Sequence, residues 1–215
     1  FAAPIIFALL LNEIGGVGKR KFVQTVSYLP HFISWVVAGS MIYMLLSNEG
    51  ALNNLLMIFG LIKKPISFLT TGKYYWTIYT VANIWKEIGW SAIIYLSAIA
   101  GVDSELYEAG TIDGLGRFGL VWHITLPGIL PTIMLLLILN IGSILNAGFD
   151  YHLIVGNPTT QPYWDVIDTY SYRYGVQQGY YSMGTAVSLF KSAIGFSLVC
   201  LSNWISKRAT GLSIF

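Results

Sequence analysis

Residues 105–127, ELYEAGTIDGLGRFGLVWHITLP, decide how this chain is read. The run is polar and broken by glycines, and it lies between two long apolar segments. It carries Glu105, Glu108, Asp113 and Arg117 in a chain that is 55% hydrophobic and only 10% charged. Soluble domains average about 25% charged residues, so the composition is that of an integral membrane protein. A carboxylate at the bilayer centre costs roughly 2.5–3.5 kcal/mol even on insertion scales. The run therefore belongs in water, as a structured loop on which something docks.

Apolar segments extend to both sides. A membrane span needs about 20 apolar residues. By that measure residues 31–47, 76–100, 128–150 and 181–205 are predicted spans, and residues 1–11 are the end of another. The chain opens at Phe1 inside an apolar run, so helices upstream are expected to lie outside this sequence. Pro30 stands near the start of its span, where proline is tolerated. Residues 48–75 are expected to form a loop with a short surface-lying helix, ended by Lys63, Lys64 and Pro65. Residues 151–180 form a tyrosine-rich polar loop with a turn at Asn157 and Pro158.

Basic residues set the orientation. With Lys19, Arg20 and Lys21 inside, alternation also puts Arg117, Lys207 and Arg208 inside, and Lys63, Lys64, Lys73 and Arg173 outside. The charges hard against helix ends, Lys19 to Lys21 and Lys207 with Arg208, all fall inside. The loop 101–127 and the C-terminus are thus predicted to face the cytoplasm.

Three spans carry a polar stripe when drawn as helices. Asn83, Lys86, Glu87, Trp90 and Ser97 fall within about 100° of arc. Asn140, Ser143, Asn146 and Asp150 fall within about 120°, as do Tyr181, Thr185, Ser188, Lys191, Ser192, Gly195 and Ser202. Such stripes face one another or a wet cavity. They read either as a solute path lined by Asn83, Lys86, Trp90, Asn140, Asn146 and Ser188, or as hydrogen-bonded contacts between membrane helices. Lys86 and Glu87 are adjacent and poorly placed to pair, so each requires a partner elsewhere. Lys86, Lys191 and Arg173 would suit an acidic solute.

Several chemistries are excluded. Cys200 is the single cysteine, so no internal disulfide forms. His31, His123 and His152 are far apart and show no metal-ligand spacing, so no metal site is expected. There is no GxxxxGK[ST] phosphate loop, no GxSxG elbow and no HExxH. An enzyme is not expected, and the net charge of +2 does not suggest nucleic acid.

The polar run also resembles a family motif. Glu108, Ala109, Asp113, Gly114, Ile124, Leu126 and Pro127 match the EAA motif, EAAxxDGAxxxxxFxxIxLP, of permease subunits of binding-protein-dependent ABC importers. Gly110, Leu115 and Val121 depart from it. Further stretches, including TVSYLPHFISWVV and WKEIGWSAIIYLSAIAGVDSELYEAG, look like the carbohydrate-uptake branch, LplB-like and related to maltose-type importers. The resemblance implies an all-α integral membrane chain with the type I ABC importer permease fold. Of its six-helix core, the first helix and part of the second would be missing. It implies one permease domain over residues 1–215 in a bacterial plasma membrane. Its partners would be a second permease subunit, two cytoplasmic ATP-binding subunits and an extracytoplasmic solute-binding protein. The chain itself would hold no cofactor, with ATP and Mg bound by the ATP-binding subunits. Coupling to them would run through Glu105, Glu108, Ala109, Gly110, Asp113, Gly114, Arg117 and Pro127. A non-sugar solute, or an ion-coupled carrier or channel using Lys86, Glu87 and Lys191, stands as the alternative.

Overall fold

The computed structural model describes residues 1–211 (the side chain of Ala209 excepted), 213 and 214. Leu212 and Phe215 of the expected cytoplasmic C-terminus lie outside the described residues. Among the described residues all regular structure is helical. In chain order the helices are α1 (Ala2–Glu13), α2 (Val17–Tyr28), α3 (Trp35–Leu46), α4 (Ala51–Ile58), α5 (Gly72–Ala100) and α6 (Ser104–Ile112). They continue with α7 (Arg117–Leu120), α8 (Leu126–Gly142), α9 (Phe149–Val155), α10 (Gln161–Trp164), α11 (Ile167–Ser171) and α12 (Tyr181–Thr210).

Two helical runs, Arg117–Gly142 of 26 residues and Tyr181–Arg208 of 28, are long and apolar enough to cross a membrane. Their apolar side chains point largely outward, with Leu189, Phe190, Phe196 and Leu201 of α12 all more than half exposed. Such a surface suits lipid, where helix association rests on close packing and interhelical hydrogen bonds rather than on apolar transfer from water. Helix α5 is long enough too, at about 1.5 Å per residue, but it carries Lys73, Lys86 and Glu87.

The helix boundaries differ from those expected at three places, each for a local reason. The segment 31–47 begins with a 3₁₀ turn, Leu29–Phe32, and α3 starts only after Ser34, whose hydroxyl caps it by accepting from the Val37 amide at 3.3 Å. The predicted span 128–150 in fact starts at Arg117 and stops at Gly142. There the Ser143 hydroxyl turns back to the Asn140 carbonyl at 3.1 Å. Asn146 therefore lies outside any helix and Asp150 belongs to α9, so the stripe of Asn140, Ser143, Asn146 and Asp150 is not one helix face. Pro127 is the second residue of α8 and follows a π-helical turn, Val121–Thr125, so the continuous helical run begins before it, at Arg117. Proline lacks an amide proton, and the wider π turn takes up the mismatch this leaves in the hydrogen-bond ladder.

The chain gathers into two compact units. The first comprises Phe1–His31, Glu87–Ile144 and Ala193–Phe215. Its core joins Ala8 of α1, Ala92, Tyr95 and Ile99 of α5, and Ile129 of α8. The second comprises Phe32–Lys86 and Leu145–Ser192. Its core joins Ile42 of α3, Tyr75 and Ala82 of α5, and Tyr151 and Val155 of α9. Beside that core the Tyr75 hydroxyl donates to Nδ1 of fully buried His152 at 2.8 Å, and His152 Nε2 faces the Ala147 carbonyl. This pairing requires the Nε2–H tautomer. Buried Asn53 ties α4 to the end of α3 through the Ser47 carbonyl at 3.0 Å, and to the following loop through the Ile66 carbonyl at 3.0 Å and the Ile66 amide at 2.9 Å.

Candidate functional site

The polar run builds a short helix laid against the start of the next one, all within the first unit. Asp103 caps α6, its carboxylate accepting from the Glu105 amide at 3.0 Å. Glu105 sits in the first turn, where an anion interacts favourably with the helix dipole. The Tyr107 hydroxyl meets Thr125 Oγ1 at 3.1 Å and pins α6 to the π turn. Gly110 is the buried residue of α6, under Leu115, Leu120 and Ile124. Gly114 then reverses the chain with φ +84°, and Arg117 opens α7.

The opposite face of this hairpin is exposed. Glu105, Glu108, Ala109, Asp113 and Arg117 all reach solvent. Around them stand large apolar side chains: Leu106 at 52% exposure, Ile112 at 86%, Phe118 at 92% and Trp122 at 70%. An exposed apolar patch ringed by charge marks a protein-binding surface. Leu106 and Ile112 were not singled out in the sequence, where they read as ordinary apolar positions of a short helix.

The residues predicted to line a solute path divide between the units. Trp90 and Asn140 belong to the first and are exposed. Trp90 stacks on His31, ring centroids 4.4 Å apart and planes within 1°. Glu87, beside it, receives His31 Nδ1 at 2.8 Å. Asn83, Lys86, Asn146 and Ser188 belong to the second unit. Asn83 donates to the Tyr79 hydroxyl at 3.2 Å, and buried Lys86 lies over the Trp35 ring, 5.4 Å from its centroid. Lys86 and Glu87 thus find separate partners, as their spacing required. Asn146 is exposed on a non-helical stretch, so it does not continue the Asn140 face.

Ser188 lines a cleft of about 540 Å³ in the second unit, together with Phe149, Asp168, Ser171, Tyr172 and Thr185. The cations expected to suit an acidic solute are already engaged there. Lys191 donates to Asp168 Oδ1, and Arg173 to Asp165 Oδ2. Burial works to raise the Asp165 carboxyl, but hydrogen bonds from Arg173 and Thr169 outweigh it and hold it below the usual carboxylate range. Among the described residues no group of three His, Cys, Asp or Glu side chains is placed to hold a metal ion.

The chain is similar in sequence and structure to known proteins. Residues 2–211 match the family described as binding-protein-dependent transport system inner membrane component. The chain is 46% identical over 209 residues to the polygalacturonan/rhamnogalacturonan transport system permease protein YteP of Bacillus subtilis, covering 97% of this chain and 64% of that protein. It is 44% identical to LplB of the same organism, covering 97% of this chain and 65% of LplB. The chain thus spans just under two thirds of the length of these relatives. A chain from a crystal structure of a bacterial ABC transporter importing the acidic polysaccharide alginate superposes with a TM-score of 0.93 at 42% identity. That match covers 98% of this chain and 73% of the other. With the type I ABC importer permease fold, the chain belongs to the family of inner-membrane components of binding-protein-dependent transport systems.

Proposed function

We propose that residues 1–215 serve as a permease domain of an ATP-driven importer of sugars or oligosaccharides, driven through the hairpin 104–118. The observation that carries this reading is the exposed face of α6 and its turn. Glu105, Glu108 and Arg117 stand there among Leu106, Ile112 and Phe118, at the residues of the EAA motif. Glu108 accepts a charge-assisted hydrogen bond from a basic side chain of an ATP-binding subunit, and the apolar residues fill its groove. Asp113, Gly114 and Pro127 fix the turn and the helix behind it. The hairpin and the C-terminus face the cytoplasm, in agreement with the basic residues at both ends of the chain.

The chain hydrolyses nothing itself. Two ATP-binding subunits hold ATP and Mg and close on ATP, a second permease subunit completes the path, and an extracytoplasmic binding protein delivers the solute to residues 48–75 and 151–180. ATP shifts the conformational equilibrium only by its differential affinity for the closed state. The coupling hairpin must therefore be held rigidly, and the Tyr107–Thr125 contact and the buried Gly110 support that. The similarity to YteP, a polygalacturonan/rhamnogalacturonan transport permease, and to an alginate importer supports a carbohydrate solute. A structure of the alginate importer, similar to this chain at a TM-score of 0.94, is described in complex with an alginate pentasaccharide-bound periplasmic protein, which supports such a delivery partner here. Asn83, Lys86, Trp90, Asn140 and Ser188 remain the proposed path residues.

The test is binding-protein-stimulated ATP hydrolysis and oligosaccharide uptake by the assembled transporter, with wild-type and Glu108→Ala permease. The expected result is loss of both activities in the variant while the complex still inserts. Unchanged hydrolysis and uptake in Glu108→Ala would contradict the proposal.

A further inference from the structure

A groove of about 450 Å³ runs along the second unit between α3, α4 and α5. Buried Ala38 and Ala82 form its floor, and exposed Met41, Leu45, Val81 and Trp85 form its walls. No polar atom lines it. Its part of α5, Val81 and Trp85, lies about 180° round the helix from Asn83, Glu87 and Trp90. The groove is therefore separate from the polar stripe proposed as the solute path. A solute bearing hydroxyl groups would lose its water there and gain no partner.

Its dimensions choose among apolar occupants. From Tyr74 to Trp85 the groove follows about 17 Å of α5, at about 1.5 Å per residue. One leaflet of the bilayer hydrocarbon is about 15 Å deep, half of a core about 30 Å thick. Spread over that length, the volume leaves a cross-section of roughly 25 Å². A helix with its side chains, about 10 Å across, needs roughly 80 Å². The groove thus admits a single methylene chain and excludes a transmembrane helix.

One end of the groove carries a basic rim. Phe68 and Tyr74 line that end, with ring centroids 5.7 Å apart. Exposed Lys73 directly precedes Tyr74. Leu52 also lines the groove, and the next residue, Asn53, holds Ile66 by both its carbonyl and its amide. That tether keeps exposed Lys63 and Lys64 on the same side. Against these three lysines the loop 48–75 holds one acid, Glu49, so its net charge is +2. A ligand matching both parts brings an apolar chain for the groove and an anion for the rim. Lysine stems lie along apolar surface while their ammonium groups reach a phosphate. We propose that the groove holds one acyl chain of an anionic phospholipid, whose phosphate sits among Lys63, Lys64 and Lys73. The site is distinct from the solute path and does not depend on which solute is carried.

The test uses the assembled full-length transporter in nanodiscs of equal phosphatidylglycerol and phosphatidylcholine with identical acyl chains. Native mass spectrometry then counts the lipids that stay bound. Wild type should keep one phosphatidylglycerol at this site, favoured over phosphatidylcholine by at least about tenfold, since a single lysine near the surface is worth about fivefold. Lys63→Gln with Lys64→Gln and Lys73→Gln should keep the lipid count and lose that preference. Val81→Trp, a filling change at an exposed position, should retain one lipid fewer. All four changes are at exposed positions, and the subunit masses in the same spectra report assembly. Equal retention of the two lipids by wild type, or a preference unchanged in the triple-lysine variant, would overturn the proposal. So would an unchanged lipid count in Val81→Trp, which would assign the groove to a protein segment instead.

Discussion

Gly110 lies so close beneath Ile124 that a Cβ on it would stand 2.6 Å from Ile124 Cδ1. The EAA motif has alanine where this chain has Gly110, so the departure has a packing reason. An alanine here requires the free ends of the Ile124 and Leu120 side chains to move aside. Gly110→Ala should lower stability by about 1 kcal/mol, the low end of the cost of overpacking, because only side-chain ends must shift. Gly110→Ala with Ile124→Val should recover most of the loss. Thermal unfolding of the detergent-solubilised chain checks both.

Gly114 turns the chain with φ +84°, and added atoms there would meet nothing within 4 Å. The constraint is therefore backbone conformation alone. Gly114→Ala should cost about 1–2 kcal/mol, and Gly114→Asn less, because asparagine tolerates the left-handed region. If the hairpin must be rigid to transmit movement, coupled ATP hydrolysis should fall in the order glycine, asparagine, alanine. A steady-state ATPase assay on the three variants reads that order, and equal rates would separate turn geometry from coupling.

His31 joins a 3₁₀ turn to α5 through Glu87 and the Trp90 ring. Both partners of the pair are about 30% exposed, 29% for His31 and 32% for Glu87, so screening limits the ionic part. The parallel stack adds a contribution typical of aromatic pairs. His31→Ala should destabilise by about 1 kcal/mol, and Glu87→Gln by less, since an amide oxygen still accepts from Nδ1. The melting temperatures of the two variants should differ in that order.

Asp165 sets an acid limit on the loop 151–180. Its folded carboxyl is held below the usual range by Arg173 and Thr169 against the opposing effect of burial. The stability it contributes is present above the ordinary carboxylate pKa and is lost as pH falls through the lowered folded-state pKa. Arg173→Gln should remove that contribution at neutral pH and flatten the decline in melting temperature between neutral pH and about pH 3. A decline as steep as in the wild type would assign the acid sensitivity to other groups.

Much of this arrangement was legible in the residues themselves. Separate partners for Lys86 and Glu87 follow from their adjacency on a helix, and the structure supplies them in the Trp35 ring and His31. The end of α8 was not legible. The apolar run continues past Gly142 and hides the Ser143 hydroxyl that ends the helix, so Asn146 and Asp150 were drawn onto a face they do not share. Nothing in the sequence announces the π turn that precedes Pro127. The partners of Lys191 and Arg173, Asp168 and Asp165, lie 23 and 8 residues away, beyond the reach of a single-helix drawing.

Ile112, at 86% exposure on the outer face of α6, offers the most direct test of coupling through the hairpin. In the assembled transporter with Cys200→Ser and Ile112→Cys, a short bifunctional maleimide crosslinker should join this chain to an ATP-binding subunit. The yield should change when ATP closes the ATP-binding dimer. A crosslink to the extracytoplasmic binding protein, or labelling of Cys at 112 only by an impermeant reagent added outside sealed cells, would contradict the assignment.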